Sequence, residues 1–262
     1  MHEPRSVRAP GLAVKKQRGE KITMIAVYDA TMAQIFDQAG VDVLLVGDSL
    51  GMTILGYDTT VPVTLDDVVH HAKAVSRTAR RALVVADMPF LSWRISNSEA
   101  VHGVKRLMQE GGASAVKIEG GASAVPTISH LVESGVPVMG HLGLTPQSVH
   151  QFGGFKTQAK NPDAQQKLID DALALEEAGV FAIVLECIPA DLARRVTSQL
   201  RIPTIGIGAG PHCDGQVLVS YDMLGLFENP PPFAKQYARL RDEISRAAAA
   251  FVEDVKSGEF PQ

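Results

Sequence analysis

Hydrophobic positions along the chain fall into short runs rich in Val and Ile, and longer stretches with helical spacing separate them. The runs cover residues 23–29, 43–49, 83–89, 115–120, 136–143, 182–187, 203–210 and 216–223. They are too short for typical helices, and Gly, Pro or Asp bounds most of them. Such runs predict parallel strands that are buried on both faces.

The stretches between these runs carry apolar residues three or four positions apart, which predicts amphipathic helices. The predicted helices cover residues 30–39, 65–79, 96–109, 124–133, 164–178 and 190–199. Thr64 and Asp163 precede two of them and are predicted N-caps, because their side chains can accept a hydrogen bond from the first helical turn.

Strands that alternate with helices eight times predict an α/β fold, a (β/α)8 TIM barrel. Such a barrel needs about 250 residues, so residues 1–262 are expected to form a single domain. An additional C-terminal helix is predicted over residues 233–256. A doubly wound open sheet is the alternative, but it would need fewer strand–helix units and a dinucleotide-binding fingerprint.

Composition narrows the class of protein. The net charge is −4 and the two signs are interspersed, so a nucleic-acid partner is not expected. Lys15, Lys16 and Arg18 form a short basic cluster, interpreted as the solvated face of a first helix. Cys187 and Cys213 lack the spacing of a zinc site or disulfide framework. With no signal-like segment and no apolar run of about 20 residues, a cytoplasmic setting without a membrane partner is expected.

Most predicted strands end in polar or charged side chains, at the end of the barrel where such enzymes hold their active sites. These residues are Tyr28, Asp29, Asp48, Ser49, Asp87, Lys117, Glu119, His141 and Glu186. Burying an unpaired carboxylate costs several kcal/mol. A metal ion, a cationic partner or a water-filled mouth is therefore needed here.

Two features of this set indicate chemistry. Lys117 and Glu119 are two residues apart on one strand and should share a face, although a simple internal ion pair would explain them equally well. Asp48, Asp87 and Glu119 follow consecutive strands and offer the hard oxygen ligands that Mg2+ prefers. A chelating 2-oxo acid would complete the coordination shell.

Glu186 ends the sixth predicted strand in an apolar context, where burial favours a carboxylate that accepts a proton. The alternative is a structural carboxylate paired with an arginine such as Arg194. His70 and His71 lie in a predicted helix and are interpreted as surface residues or residues behind the site.

Specific stretches of the chain resemble a known family. GDSLGM at residues 47–52, followed by GYDTT at residues 56–60, and GIGAG at residues 206–210, followed by DGQVLV at residues 214–219, resemble the ketopantoate hydroxymethyltransferase family. The resemblance extends over residues 22–233. It implies magnesium ligation by Asp48, Asp87 and Glu119, and oxo-acid binding by Asp48, Ser49, Asp87 and Lys117. It further implies that His141 contacts the substrate and that Glu186 accepts the proton.

The resemblance also implies an activity. A member of this family would transfer a hydroxymethyl unit from 5,10-methylenetetrahydrofolate to 3-methyl-2-oxobutanoate, giving 2-dehydropantoate in the first step of pantothenate biosynthesis. It would be a Mg2+-dependent transferase and a homo-oligomer, a decamer. The alternatives are a Mg2+-dependent 2-oxo acid C–C lyase of the same superfamily and a barrel kept as a binding protein.

Overall fold

The computed structural model describes residues 6–261. Residues 6–217 form one compact unit, and residues 218–261 form a second. The single domain predicted from the sequence therefore stays a prediction. The strands are β1 Ile22–Ala26, β2 Val43–Val46, β3 Leu83–Asp87, β4 Ala115–Glu119, β5 Val138–Gly143, β6 Ala182–Glu186, β7 Thr204–Ile207 and β8 Gly215–Val219.

The helices alternate with these strands. They are α1 Ala9–Gln17, α2 Ala30–Gln38, α3 Leu50–Thr53, α4 Leu65–Thr78, α5 Asn97–Lys105, α6 Val125–Glu133, α7 Val149–Phe152, α8 Pro162–Glu177, α9 Ala190–Gln199, α10 Ser220–Met223 and α11 Leu240–Ser257. Each of the six helices predicted between the strands is present within a few residues. One predicted helix, over residues 96–109, is split, because α5 passes into a π-helical turn at Arg106–Glu110.

The strands form a closed barrel in the chain order β1 to β8. Neighbouring strands from β1 to β8 run parallel. β2, β3 and β4 are buried along their whole length, as expected for strands covered on both faces. The predicted TIM barrel is confirmed, and the open-sheet alternative is wrong.

The helix caps follow the sequence in one case and not in the other. Thr64 caps α4 in a reciprocal capping box with Asp67, as predicted. Asp163 is not a cap, because Asn161 accepts the hydrogen bond from the amide of Ala164 and the intervening Pro162 begins α8. Proline suits this first helical position, since its missing N–H would have no partner there.

The basic cluster is a solvated face only at Arg18, whose side chain is 68% exposed, whereas Lys15 and Lys16 form ion pairs. Lys15 Nζ lies 2.9 Å from Asp42 Oδ1, and Lys16 Nζ lies 3.0 Å from Asp214 Oδ2. Lys16 also donates to the carbonyl oxygens of Thr197 and Ile202, at 2.9 Å each. These contacts hold α1 to residues that precede β2, β7 and β8, which is the end of the barrel opposite the polar strand ends.

The second unit contains α10 and α11. The helix predicted over residues 233–256 begins only at Leu240. The preceding segment does not continue it, because the amide of Tyr237 donates to the carbonyl of Met223, and that of Leu240 to the carbonyl of Leu224. No residue of α11 is buried. Among the described residues, no helix is both long and apolar enough to span a membrane.

Candidate active site

The strand ends bring the predicted residues together. Asp87 and Glu119 are the last residues of β3 and β4, while Asp48 follows β2 by two positions. The register places Asp87 beside Lys117, and Glu119 beside His141 on β5. All five side chains belong to residues that are 2–4% exposed. One buried cluster therefore holds three carboxylates, one ammonium group and one imidazole.

Lys117 lies among these carboxylates. Its Nζ is 2.9 Å from Asp87 Oδ1 and 3.9 Å from Glu119 Oε1, so Lys117 and Glu119 share a face as predicted. Burial lowers the pKa of Lys117, but the charges of Asp87, Glu119 and Asp48 outweigh it and raise the pKa well above its usual value. The neighbouring carboxylates therefore favour the charged form of this side chain.

Negative charge exceeds positive charge in this cluster. Burial and the charges of Asp87 and Glu119 raise the pKa of Asp48 well above its usual value. A cation beside Asp48 would allow all three carboxylates to be ionised at once. The donors are oxygens of the kind that Mg2+ prefers, so the chemistry of the residues fits this ion.

The side chains themselves are not arranged as a metal site. Among residues 6–261, no group of three or more His, Cys, Asp and Glu residues is placed to hold a metal ion. Lys117 lies against Asp87, and Lys117 and His141 both lie against Glu119, so cationic or hydrogen-bonding groups cover part of the carboxylate oxygens. The assignment of Asp48, Asp87 and Glu119 as magnesium ligands therefore stays a prediction.

His141 joins this cluster to Glu186. Its Nδ1 lies 3.2 Å from Glu119 Oε1, and its Nε2 lies 3.2 Å from Glu186 Oε2. Burial and the charge of Lys117 lower the pKa of His141, but the adjacent carboxylates of Glu119 and Glu186 outweigh them and raise it to about 9. The imidazole thus connects two carboxylates from β4 and β6.

Glu186 is the last residue of β6, and its side chain is 15% exposed. The alternative partner Arg194 pairs instead with Asp191, at 2.8 Å. Cys187 follows with a positive φ of 47°, and its amide donates to the carbonyl of Ile207. A left-handed residue therefore turns the chain directly after the predicted base, which faces His141.

At the ends of β1 and β2, Tyr28 connects two of the predicted residues, and the role of Ser49 in binding the oxo acid stays a prediction. Ser49 Oγ lies 2.8 Å from the hydroxyl of Tyr28. His71 Nδ1 lies 2.6 Å from the carbonyl oxygen of Tyr28, so His71 supports the end of β1 from behind. Asp29 accepts a hydrogen bond from the amide of Met32 and caps α2, which explains this polar strand end without any chemistry.

One residue of the cluster was missed in the sequence. Gln147 lies on a short 3-10 helix, Pro146–Ser148, after β5, and is 6% exposed. Its side-chain Nε2 donates to Asp48 Oδ2 at 2.8 Å, and its backbone amide donates to Glu119 Oε2 at 3.1 Å. Gln147 is neutral, so its side chain does not stand out in the sequence as a buried charge does. Only its place after a barrel strand could have indicated that it belongs to the site.

Solved structures with the same fold are distant in sequence. A 2,3-dimethylmalate lyase, described as a member of the PEP mutase/isocitrate lyase superfamily, is 18% identical with a TM-score of 0.62, covering 97% of this chain and 90% of its own. Phosphonopyruvate hydrolase, solved in complex with oxalate and Mg++, is 15% identical with a TM-score of 0.62, covering 96% and 88%. At this identity the likeness shows the fold alone.

Sequence comparison gives much closer relatives. This chain is 56% identical to the 3-methyl-2-oxobutanoate hydroxymethyltransferase of Moorella thermoacetica, over 97% of this chain and 95% of that protein. It is also 56% identical to the protein of the same name from Syntrophus aciditrophicus, over 94% and 91%. The model of the family described as ketopantoate hydroxymethyltransferase matches residues 6–262. The chain belongs to the ketopantoate hydroxymethyltransferase family.

Proposed function

We propose that this protein transfers a hydroxymethyl unit from 5,10-methylenetetrahydrofolate to 3-methyl-2-oxobutanoate. One water supplies the hydroxyl group, and the products are 2-dehydropantoate and tetrahydrofolate. The relatives' name supports the acceptor. The observation that carries the proposal is the cluster itself, in which Lys117 lies among three buried carboxylates and His141 links it to Glu186.

Asp48, Asp87 and Glu119 would hold Mg2+ in this enzyme. Their excess negative charge, seen in the raised pKa of Asp48, supports a bound cation. The phosphonopyruvate hydrolase structure, with oxalate and Mg++ on the same fold, agrees with this ligand chemistry. When bound, Mg2+ would act as a Lewis acid toward the 2-oxo group and the carboxylate of the substrate.

The chain's own side chains would bind and orient the oxo acid. Lys117, in its charged form, would offset the charge of the substrate carboxylate and of the oxygen that becomes negative. Asp48, Ser49 and Asp87 would bind the oxo acid as well, and Tyr28 fixes the hydroxyl of Ser49. His141 would contact the substrate from β5. Because these groups lie on strand ends, little reorganisation would be needed when the substrate binds.

Glu186 would remove the proton from C3 of the oxo acid. Its carboxylate is partly open, at 15% exposure, while His141 Nε2 lies 3.2 Å from Oε2 and orients it. The carbanion equivalent formed at C3 would then attack the one-carbon unit of the folate. Lys117 and Glu186 would therefore have separate roles. Lys117 would stabilise negative charge, and Glu186 would move the proton.

We further propose that the enzyme is a cytoplasmic homo-oligomer, a decamer as the family resemblance implies. The exposed apolar residues of α11 support a subunit contact. No residue of this helix is buried, although it carries Ile244, Phe251, Val252 and Val255. Isolated helices with such apolar residues usually bury them against a partner. Light scattering on the purified chain would give the subunit number.

The experiment that tests the activity is an assay of the purified chain with 3-methyl-2-oxobutanoate, with and without 5,10-methylenetetrahydrofolate and Mg2+. Formation of 2-dehydropantoate only when both are present would support the proposal. Cleavage of a larger 2-oxo or 2-hydroxy acid without folate, and no 2-dehydropantoate, would favour the lyase alternative and overturn it. No turnover of either kind would favour a binding protein.

A further inference from the structure

Gln147 is the neutral residue at the centre of the charged cluster. It is 6% exposed and lies on the 3-10 helix Pro146–Ser148 that follows β5. It contacts two of the three predicted magnesium ligands, Asp48 and Glu119, which come from β2 and β4. A single residue thus connects carboxylates that reach the site from opposite sides of β3.

The orientation of the Gln147 amide is fixed by its partners. Nε2 donates to Asp48 Oδ2 at 2.8 Å and to the carbonyl oxygen of Met88 at 2.9 Å. Both partners are acceptors, so both hydrogens of the amide nitrogen are used, and the amide oxygen cannot replace it. The bond to Met88, which follows Asp87 directly, anchors the side chain to rigid backbone.

The backbone of Gln147 acts on the other carboxylate. Its amide donates to Glu119 Oε2 at 3.1 Å, while Glu119 Oε1 faces His141 Nδ1 at 3.2 Å. One oxygen of Asp48 and one of Glu119 are therefore held by a group that carries no charge. A lysine in this place would neutralise the carboxylates, whereas a glutamine orients them and leaves their charge available.

We propose that Gln147 is a positioning residue, which holds Asp48 through its side chain and Glu119 through its backbone amide, so that both carboxylates stay in place for the divalent cation. The inference deepens the proposed function and rests on its metal site. Gln147 would touch neither the oxo acid nor the folate and would act through the two carboxylates. Residues that orient metal ligands typically contribute about 10–100-fold to metal affinity.

The test is the Kd of Mn2+, a paramagnetic substitute for Mg2+, measured by EPR on the full chain without oxo acid. Gln147→Met keeps the length of the side chain but removes its hydrogen bonds to Asp48 and to the carbonyl of Met88, while the backbone bond to Glu119 remains. The matched control is Gln166→Met, which removes a glutamine–aspartate hydrogen bond of 2.9 Å to Asp170 on the exposed surface of α8. We expect the Kd to rise about 10–100-fold for Gln147→Met and to stay within about twofold for the control.

An unchanged Kd in a folded Gln147→Met variant would overturn the inference. If that variant does not fold, Gln147→Asn replaces it, because it keeps a buried amide but withdraws it by one methylene, and the same rise is expected. A wild-type chain that binds no Mn2+ would overturn the inference together with the metal site. A wild-type chain that binds Mn2+ but makes no 2-dehydropantoate would overturn the proposed activity alone, and the Kd of the variants would still decide the role of Gln147.

Discussion

At the scale of single residues, the site is a buried cluster in which negative charge exceeds positive charge. Lys117 is the cation that approaches Asp87 most closely, at 2.9 Å, and it also lies 3.9 Å from Glu119. Burial and the neighbouring negative charges raise the pKa of Asp48. Burial and hydrogen bonding to His141 act in opposite directions on Glu119, and the net effect lowers its pKa. Asp48 and Glu119 thus have pKa values shifted in opposite directions, although both are carboxylic acids in the same cluster.

Replacing Asp87 tests whether this surplus serves to bind a cation. Asp87→Asn keeps the shape of the side chain but removes the charge that faces Lys117. We expect the Kd of Mn2+ and the KM of the oxo acid to rise together, each by roughly tenfold or more. Asp191→Asn, on an exposed pair with Arg194 at 2.8 Å, is the control and should leave both unchanged. A variant that keeps the wild-type metal requirement would remove Asp87 from the ligand set.

At the scale of elements, strand ends and the turns after them aim the functional side chains. The exit from β5 lies against the exit from β6, because the amide of Leu144 donates to the carbonyl of Glu186 at 2.8 Å. Gly143 makes this approach with a φ of 95°. A Cβ on Gly143 would clash with the Glu186 carbonyl oxygen and lie 2.8 Å from Ile188 Cγ2. The position of the proposed base therefore depends on a glycine in the neighbouring strand.

Gly143→Ala should lower both stability and turnover. The left-handed conformation alone costs a residue with a Cβ about 1–2 kcal/mol, and the clash with the Glu186 backbone adds to that cost. Gly135→Ala separates the two effects, because Gly135 has a φ of 86° but open space around its Cβ position. Urea unfolding and kcat are the measurements. Equal losses in the two variants, with kcat unchanged, would show that Gly143 does not position Glu186.

The elements also show what the sequence can and cannot predict. The eight strands were predictable because strands that are buried on both faces appear in the sequence as short, nearly continuous apolar runs, and here most of these runs end in polar residues. The start of α11 was not, because the amides of Tyr237 and Leu240 bond to carbonyls far back in the chain. Gln147 was missed for a similar reason, since its importance comes from partners at the ends of β2, β3 and β4 and not from its own charge.

At the scale of the barrel, the two ends differ in how their buried carboxylates are balanced by positive charge. The end that carries Asp48, Asp87 and Glu119 has excess negative charge. At the other end, lysine side chains neutralise the carboxylates beside them. There Asp42 binds the amide and hydroxyl of Thr23 and lies 2.9 Å from Lys15 Nζ. The same arrangement recurs where Asp214 binds Thr204 and Lys16. Such balanced clusters are expected to stabilise the fold, while the unbalanced one serves chemistry.

Asp42→Asn should lower the free energy of unfolding at pH 7 by about 2 kcal/mol, the range for hydrogen bonds to a charged group. Burial raises the pKa of Asp42, but the bonds from Thr23 and Lys15 outweigh it and lower the pKa. The stabilisation is therefore complete above the unfolded-state pKa of about 3.9 and is lost as the pH falls through the lower folded-state value. Unfolding at pH 7 and near pH 3 measures this, with Asp191→Asn as control. A difference that grows on acidification would contradict it.

The most direct test of the whole account is exchange of the C3 proton of 3-methyl-2-oxobutanoate with D2O, followed by NMR in the presence of Mg2+ and without folate. The account predicts that the wild-type chain exchanges this proton. Glu186→Gln should slow the exchange by roughly 100-fold or more, the usual contribution of a general base, while Mn2+ still binds. Exchange that survives unchanged in Glu186→Gln, or that is absent in the wild-type chain, would contradict the account.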